Sequence, residues 1–114
     1  MSGISTHVLD TTRGLPAAGI PVILEHEAVA NRWRVIINTK TDEDGRITSL
    51  LPAGTKLATG SYRLRFETGA YFKHHKLDHF HPRVEVAFTI TDIKRKYPIP
   101  LLVSPFGYTT YRGS

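Results

Sequence analysis

The chain has 114 residues, which is the usual size of a single domain. Hydrophobic residues make up 40% of it and charged residues 22%, proportions that are typical of a globular protein and exclude a disordered chain. It contains no cysteine, which excludes disulfides, iron–sulfur clusters, thiolate metal ligands and a cysteine nucleophile.

The charge balance is basic, with fifteen Lys and Arg against ten Asp and Glu and a net charge of +5. This balance indicates an anionic partner or simply a basic surface. The basic residues are spread along the chain, which favours the basic surface and leaves nucleic-acid binding as a minor hypothesis. No apolar run approaches the ~20 residues of a membrane span, and the first residues lack the features of a signal peptide. We therefore expect a cytoplasmic protein that does not enter a membrane.

Apolar and polar residues alternate with a period of two along much of the chain, which predicts a mainly β domain over residues 1–114. The predicted strands, separated by turn residues, are 5–10, 20–26, 33–38, 61–67, 83–90, 99–104 and 108–112. Seven short strands favour a sandwich of two sheets. One short helix is predicted at 68–77, and in the strand at 33–38 we expect Trp33, Val35 and Ile37 to face the core.

Two prolines mark the start of the strand near residue 99. Pro98 and Pro100 each remove a backbone donor, which is tolerable at the start of a strand or on a sheet edge. The residues that follow, 101–103, form a continuous apolar run, which predicts burial on both faces. In a small sandwich, a second subunit that covers the outer face would provide this burial.

The familiar catalytic signatures are absent from the sequence: it has no Gly-rich phosphate loop, no Gly-x-Ser-x-Gly elbow and no metal motif of recognised spacing. Four histidines lie close together in the sequence, at His74, His75, His79 and His81. Such a cluster is a candidate metal site, although an exposed histidine-rich loop is the commoner explanation.

Three other features are candidates for chemistry. His7 lies inside a predicted strand among hydrophobic residues, where the alternative is a structural histidine in the core or an interface. Arg46 follows an Asp-Gly turn, where the alternative is an ordinary surface arginine. The tail at 108–114 is rich in aromatic residues, which are costly to expose, so we expect it to be docked.

Five motifs in chain order carry a family resemblance. They are Thr-His-Val-Leu-Asp-Thr at 6–11, Gly-Leu-Pro-Ala at 14–17, Thr-Asp-Glu-Asp-Gly-Arg at 41–46, Pro-Leu-Leu-Val-Ser-Pro at 100–105 and Tyr-Arg-Gly-Ser at 111–114. This set resembles the transthyretin-related 5-hydroxyisourate hydrolases, and the terminal Tyr-Arg-Gly-Ser distinguishes the hydrolases from transthyretin itself. The resemblance extends over nearly the whole chain.

The resemblance implies a transthyretin-like two-sheet β-sandwich of about eight strands with one short helix. It also implies a homotetramer with active sites in a channel between dimers. The implied reaction opens the six-membered ring of 5-hydroxyisourate to give 2-oxo-4-hydroxy-4-carboxy-5-ureidoimidazoline, a step of urate degradation. The resemblance implies no cofactor and no metal.

Residue by residue, the resemblance implies that His7 activates or orients water and that Arg46 holds the anionic substrate. Tyr111 and Ser114, with the terminal carboxylate, would complete the pocket wall. Pro98 departs from the family pattern, in which this position is usually a second histidine. If that imidazole performs acid/base work, its loss costs on the order of 10²–10⁴ in rate. Three alternatives stay open. Pro98 favours a transthyretin-like carrier of small ligands or a catalytically impaired homologue, and the third alternative is a purely structural sandwich.

Overall fold

The computed structural model describes residues 3–114, which form nine strands and one helix. The elements are β1 Gly3–Asp10, β2 Leu15–Pro16, β3 Pro21–Val29, β4 Arg32–Lys40, β5 Arg46–Ile47, β6 Gly60–Phe66, α1 Thr68–His74, β7 Val84–Ile90, β8 Lys96–Ser104 and β9 Gly107–Thr110. The prediction of a mainly β sandwich with one short helix is confirmed. In the described part of the chain, no helix has the length and hydropathy of a membrane span.

The strands form two sheets. One sheet has the order β4-β3-β6-β7, and all of its pairs are antiparallel. In the other, the order is β2-β1-β8-β9, and β5 pairs with the part of β1 that β2 leaves free. The pairing of β1 with β8 is parallel and joins the two ends of the chain.

The core lies between the inner faces of the two sheets. In β1, Ile4, Thr6 and Val8 are buried and alternate with half-buried residues, as the period-two pattern requires. The other sheet contributes Leu64 and Phe66, both fully buried. One face of β1 is therefore committed to packing, and the opposite face is available for other interactions.

A buried carboxylate ties β1 to the helix. Asp10, at the end of β1, accepts hydrogen bonds from the backbone N–H groups of Thr12 and Arg13 and from the hydroxyl of Tyr71, the last at 2.8 Å. Burial raises the pKa of Tyr71, the bond to Asp10 raises it further, and the bond from Arg13 opposes both effects. Asp10 is thus satisfied inside the fold and is not available for chemistry.

The two prolines of β8 occupy positions where, within residues 3–114, no strand pairs with β8 on the side away from β1. The ladder between β8 and β9 ends at the pair Leu101 and Thr110. The carbonyl of Pro100 accepts a hydrogen bond from Thr110 Oγ1 at 2.8 Å, so this carbonyl points away from β1. In a strand the nitrogen of the same residue points to the same side, so the nitrogen of Pro100, which carries no proton, also points away from β1. The missing N–H groups therefore break no bond to β1, and they explain why β9 ends at Thr110 and not at residue 112 as predicted.

Within the apolar run after Pro100, Leu101 and Val103 face the core, while Leu102 lies half-buried on the outer face. In one chain the run is thus buried on a single side. The covering of Leu102 by a second subunit stays a prediction.

The predicted core face of β4 is correct for Ile37 and wrong for Val35 and Trp33. Ile37 lies opposite buried Leu24, but the next pair joins Val35 to Glu25, so Ile36 is the extra residue of a β-bulge. The bulge turns Val35 to the outer face, where it is 56% exposed. Trp33 lies beyond the bulge on that outer face too, against the guanidinium of Arg63, whose central carbon is 4.3 Å from the indole ring centre.

The helix is three residues shorter than predicted, because a Schellman cap ends it. The N–H of Leu77 bonds to the carbonyl of Phe72, and the N–H of Lys76 bonds to that of Lys73. Lys76 adopts the left-handed conformation, with φ of 59°, that this cap requires. The two-residue strands β2 and β5 were not predicted, since two residues show no periodicity.

Gly45 lies in the turn that packs against the edge of β1, and replacing it tests how tightly that turn is held. Its φ is +72°, and a Cβ there would collide with the backbone oxygen of Val8. Gly14 has a similar φ of +68° but no atom within 4 Å of the same position. Both replacements by alanine incur the left-handed penalty of about 1–2 kcal/mol. We expect Gly45→Ala to lower the free energy of unfolding by at least about 1 kcal/mol more than Gly14→Ala in urea denaturation. Equal losses would contradict this account.

Candidate active site

The outer face of β1 carries a row of three residues across three strands. His7 is the register partner of Arg46 in β5 on one side and of Pro100 in β8 on the other. Its neighbours in sequence, Thr6 and Val8, face the core. His7 is therefore on the outer face, half-buried, and is not a core histidine.

A second row lies beside the first on the same face. Ser5 is the register partner of Pro98, and Thr48 follows β5 on the other side of β1. The two rows line a cavity of about 180 Å³. Its lining residues are Ser5, Thr6, His7, Arg46, Ile47, Thr48, Pro98, Ile99 and Pro100.

Arg46 is placed by the turn that precedes it. The carboxylate of Asp42 accepts hydrogen bonds from the backbone N–H groups of Asp44 and Arg46, both at 2.9 Å. The carbonyl of Gly45 then accepts a bond from the N–H of Val8 at 2.7 Å, which holds the turn against β1. The Asp-Glu-Asp-Gly segment thus fixes the backbone from which the Arg46 side chain extends.

Four polar side chains of the cavity have no hydrogen-bond or ion-pair partner among the described residues. Within residues 3–114, the side chains of Ser5, His7, Arg46 and Thr48 form no hydrogen bond or ion pair. By contrast, the hydroxyl of Thr6, on the core side of the same strand, donates to the carbonyl of Ile99 at 2.6 Å. The cavity therefore presents one cation, one imidazole and two hydroxyls that are free to form bonds. These are the groups that a polar, anionic ligand requires.

The tail docks against β8 on the side away from β1. The N–H of Gly113 donates to the carbonyl of Pro98 at 2.8 Å. A Cβ on Gly113 would lie 3.2 Å from Cγ of Pro98 and 3.4 Å from Cγ of Pro100, so the tail passes close over both proline rings. Ser114 is the next residue and is exposed. The tail therefore approaches the cavity from the side opposite Arg46.

Tyr111 lies elsewhere. It is 57% exposed and lines a separate cavity of about 270 Å³ between β7 and the tail. Among the described residues, the lining of that cavity includes no His, Asp or Glu, and its Tyr97 hydroxyl is already bonded to the carbonyl of Asp92 at 2.7 Å. Within the described residues, this cavity thus lacks a histidine or carboxylate that could act as a general base. Of the four predicted site residues, the structure brings together His7 and Arg46, leaves Ser114 one residue past the docked Gly113, and separates Tyr111.

The histidine cluster does not converge. His75 lies against the ring of Tyr71, His79 bonds to the carbonyl of Leu77, and His81 packs edge-on against Tyr108. In the part of the chain that the structure describes, no group of three or more His, Cys, Asp or Glu residues is arranged to hold a metal ion.

Ser5 and Thr48 are the polar cavity residues that the sequence did not identify as site candidates. A signal for Ser5 was present, because it precedes His7 by two residues in a predicted strand and must share its face. No comparable signal existed for Thr48, since its position depends on β5, which the sequence did not predict.

The sequence matches the HIUase/Transthyretin family over residues 4–113. The chain belongs to this family. The mouse protein named 5-hydroxyisourate hydrolase is 45% identical over 114 residues, which is 99% of this chain and 96% of the mouse chain. The family predicted from the five motifs is therefore confirmed.

Solved structures of the family give the same result. The structure of Klebsiella pneumoniae 5-hydroxyisourate hydrolase has a TM-score of 0.87 at 35% identity and covers 100% of both chains. Sea bream transthyretin in complex with thyroxine has a TM-score of 0.90 at 31% identity and covers 96% of this chain and 93% of its own. The predicted transthyretin-like architecture is confirmed.

The docking of the tail has a direct test in amide hydrogen exchange. Because the N–H of Gly113 is bonded to the carbonyl of Pro98, we expect it to exchange more slowly than the amides of Arg112 and Ser114 when followed by NMR. Gly113→Ala, which forces a Cβ against the proline rings, should abolish this difference. Gly107→Ala is the control, because its nearest contact would be an ordinary 3.8 Å. Exchange of Gly113 at the rate of a free tail would contradict the docked arrangement.

Proposed function

We propose that this protein hydrolyses 5-hydroxyisourate to 2-oxo-4-hydroxy-4-carboxy-5-ureidoimidazoline, a step of urate degradation in purine catabolism. The single observation that carries the proposal is the pairing of His7 with Arg46 on the outer face of β1, with both side chains free within residues 3–114. Relatives across the family that are named 5-hydroxyisourate hydrolase support the same activity.

His7 is the general base of the proposed reaction. Its imidazole takes a proton from water as the water oxygen bonds to the acyl carbon of the six-membered ring. The ring C–N bond then breaks, and the proton passes from His7 to the leaving nitrogen. Each proton and electron pair is accounted for without a cofactor.

Arg46 binds the anionic substrate and the negative charge that develops on the acyl oxygen. A guanidinium presents two parallel N–H donors, which hold a flat heterocycle in one orientation. The cation has no acidic partner among residues 3–114, so its charge is not already neutralised. Electrostatic stabilisation of this kind is strongest where water is excluded.

One chain leaves the site open, which supports a homotetramer in which a second chain covers the cavity. Ser114 approaches from the tail side, but Tyr111 faces a different cavity of its own chain. We propose that Tyr111 completes the wall of a site to which a neighbouring subunit contributes His7 and Arg46. The half-buried Leu102 of the same outer face would be covered in the same contact.

The cytoplasm is the proposed location, and residues 1–114 are proposed to act as one domain. Both predictions rest on the composition and pattern of the sequence. The proposal includes no nucleic-acid partner.

The decisive experiment generates 5-hydroxyisourate from urate with a urate oxidase and follows its ultraviolet absorbance. Micromolar protein should accelerate the decay above the spontaneous rate. His7→Ala should remove most of the acceleration, while His81→Ala, a histidine packed on Tyr108 outside the cavity, should not. Decay at the spontaneous rate with the parent protein would reject the enzyme.

A second candidate is a carrier that binds a small aromatic ligand without turning it over. Pro98 favours it, because a proline ring can neither donate nor accept a proton. Sea bream transthyretin was solved with thyroxine, so thyroxine is a suitable probe in a fluorescence titration. The carrier is preferred if thyroxine binds and 5-hydroxyisourate decays only spontaneously.

Arg46→Lys tests the geometry of the cation. The variant keeps the charge but loses the planar pair of donors, so we expect kcat/KM to fall by about tenfold or more. Arg32→Lys, at an exposed strand start, is the control and should leave kcat/KM unchanged. Activity of Arg46→Lys within a factor of two of the parent would count against a bidentate contact.

Pro98→His tests the departure from the family pattern. The position is on the outer face, opposite Ser5, and has no β9 partner, so histidine fits the backbone there. We expect a gain of tenfold or more in rate, equivalent to about 1.4 kcal/mol of barrier. Pro98→Ala separates the loss of the proline from the gain of the imidazole and should not show the gain. If Pro98→His keeps its fold but shows no gain in rate, the reaction uses a different acid/base group, and the role implied for a histidine at this position is rejected.

Light scattering tests the assembly. At micromolar concentration we expect a species of four times the 12.8 kDa of one chain. A monomer at that concentration would refute the homotetramer.

A further inference from the structure

The second row of the cavity contains a hydroxyl that the mechanism above does not use. Ser5 lies on the central strand of that row, with Pro98 opposite it in β8 and Thr48 on the other side. His7 is two residues further along the same face, in the first row. A ligand that contacts His7 is therefore within reach of the Ser5 hydroxyl.

The environment of Ser5 leaves its hydroxyl available. Ser5 is half-buried, and within residues 3–114 its side chain has no hydrogen-bond partner. The adjacent Thr6 hydroxyl, on the core side, is fully committed to the carbonyl of Ile99. The difference follows from the face that each residue occupies. Of these two neighbours, Ser5 is the one whose hydroxyl is free toward the cavity as a donor and acceptor.

Pro98 makes Ser5 more important in this chain. The proline ring offers no hydrogen-bonding group, and its carbonyl already accepts the N–H of Gly113. Thr48 is exposed at the open end of the row, beyond the last residue of β5. In the second row, Ser5 is thus the polar side chain that is both partly shielded from solvent and held on a central strand.

We propose that Ser5 is a substrate-binding residue whose hydroxyl hydrogen-bonds a ring carbonyl or ring N–H of the substrate beside His7. This inference rests on the proposed function for the identity of the substrate. Ser5 fixes the end of the heterocycle that Arg46 does not hold, so that the acyl carbon stays next to His7. Two contacts on different strands orient a flat ring better than one contact does.

The test compares three variants of the full chain. Ser5→Ala removes the hydroxyl, Ser5→Thr keeps it with a side chain that suits a strand, and Ser61→Ala changes a half-buried strand serine on the outer face of the other sheet. Thermal unfolding of each variant first establishes that the fold is retained. The measured quantities are kcat/KM for 5-hydroxyisourate and the affinity for urate, a non-hydrolysed compound of related ring structure, by calorimetry.

We expect Ser5→Ala to lower kcat/KM by about threefold to tenfold, the range for loss of one neutral hydrogen bond. Ser5→Thr and Ser61→Ala should stay within a factor of two of the parent. If kcat/KM of Ser5→Ala stays within a factor of two of the parent value, the role of Ser5 is overturned. The activity of the parent protein would still support the proposed function in that case.

The urate titration separates the two proposals in the opposite case. If the parent does not accelerate the decay of 5-hydroxyisourate, the proposed function fails, and the affinity for urate then decides the role of Ser5. A loss of threefold or more in Ser5→Ala supports a ligand contact. Equal affinities, or no binding of urate to the parent up to its solubility limit, overturn it.

Discussion

The parallel pairing of β1 with β8 is the constraint on which the rest of the structure depends. It joins residues near the two ends of the chain, and its register places His7 opposite Pro100 and Ser5 opposite Pro98. The pairing also leaves the other edge of β1 free, so that β5 can bring Arg46 beside His7. Closing so long a loop is entropically costly, and the buried side chains of β1 and β8 offset that cost.

Because side chains alternate along β1, neighbouring residues pack in the core or face the cavity in turn. Thr6 is buried and bonded to Ile99, whereas Ser5 and His7 on either side of it face the cavity. On the inner face, the polar side chains of Thr6 and Asp10 are both hydrogen-bonded, as buried polar groups must be. The outer face can then carry unpaired polar groups, whose free donors and acceptors would be costly in a core but are useful toward a ligand.

The sequence predicted the elements that are long and periodic, and it missed those that depend on distant contacts. His7 and Arg46 were identified because they lie in family motifs, but their adjacency depends on β5, two residues held by the Asp42 turn and by pairing with β1. The bulge at Ile36 was missed because Val35, Ile36 and Ile37 are all apolar, so the pattern does not show which of them face the core. Likewise, Tyr111 was grouped with the site from its motif, and its place in a different cavity follows from the end of β9 at Thr110.

Pro98 shows how backbone and side-chain roles separate at one position. Its carbonyl accepts the N–H of Gly113 and so holds the tail, a contact that any residue provides through its backbone. Its missing N–H breaks no ladder bond, because β9 has already ended. The fold therefore does not require proline here, and the effect of the residue falls on the chemistry of the cavity. Under the proposed function, a site without an imidazole at this position relies on His7 for the acid/base work. The charge of Arg46 and the hydroxyl of Ser5 then orient the substrate.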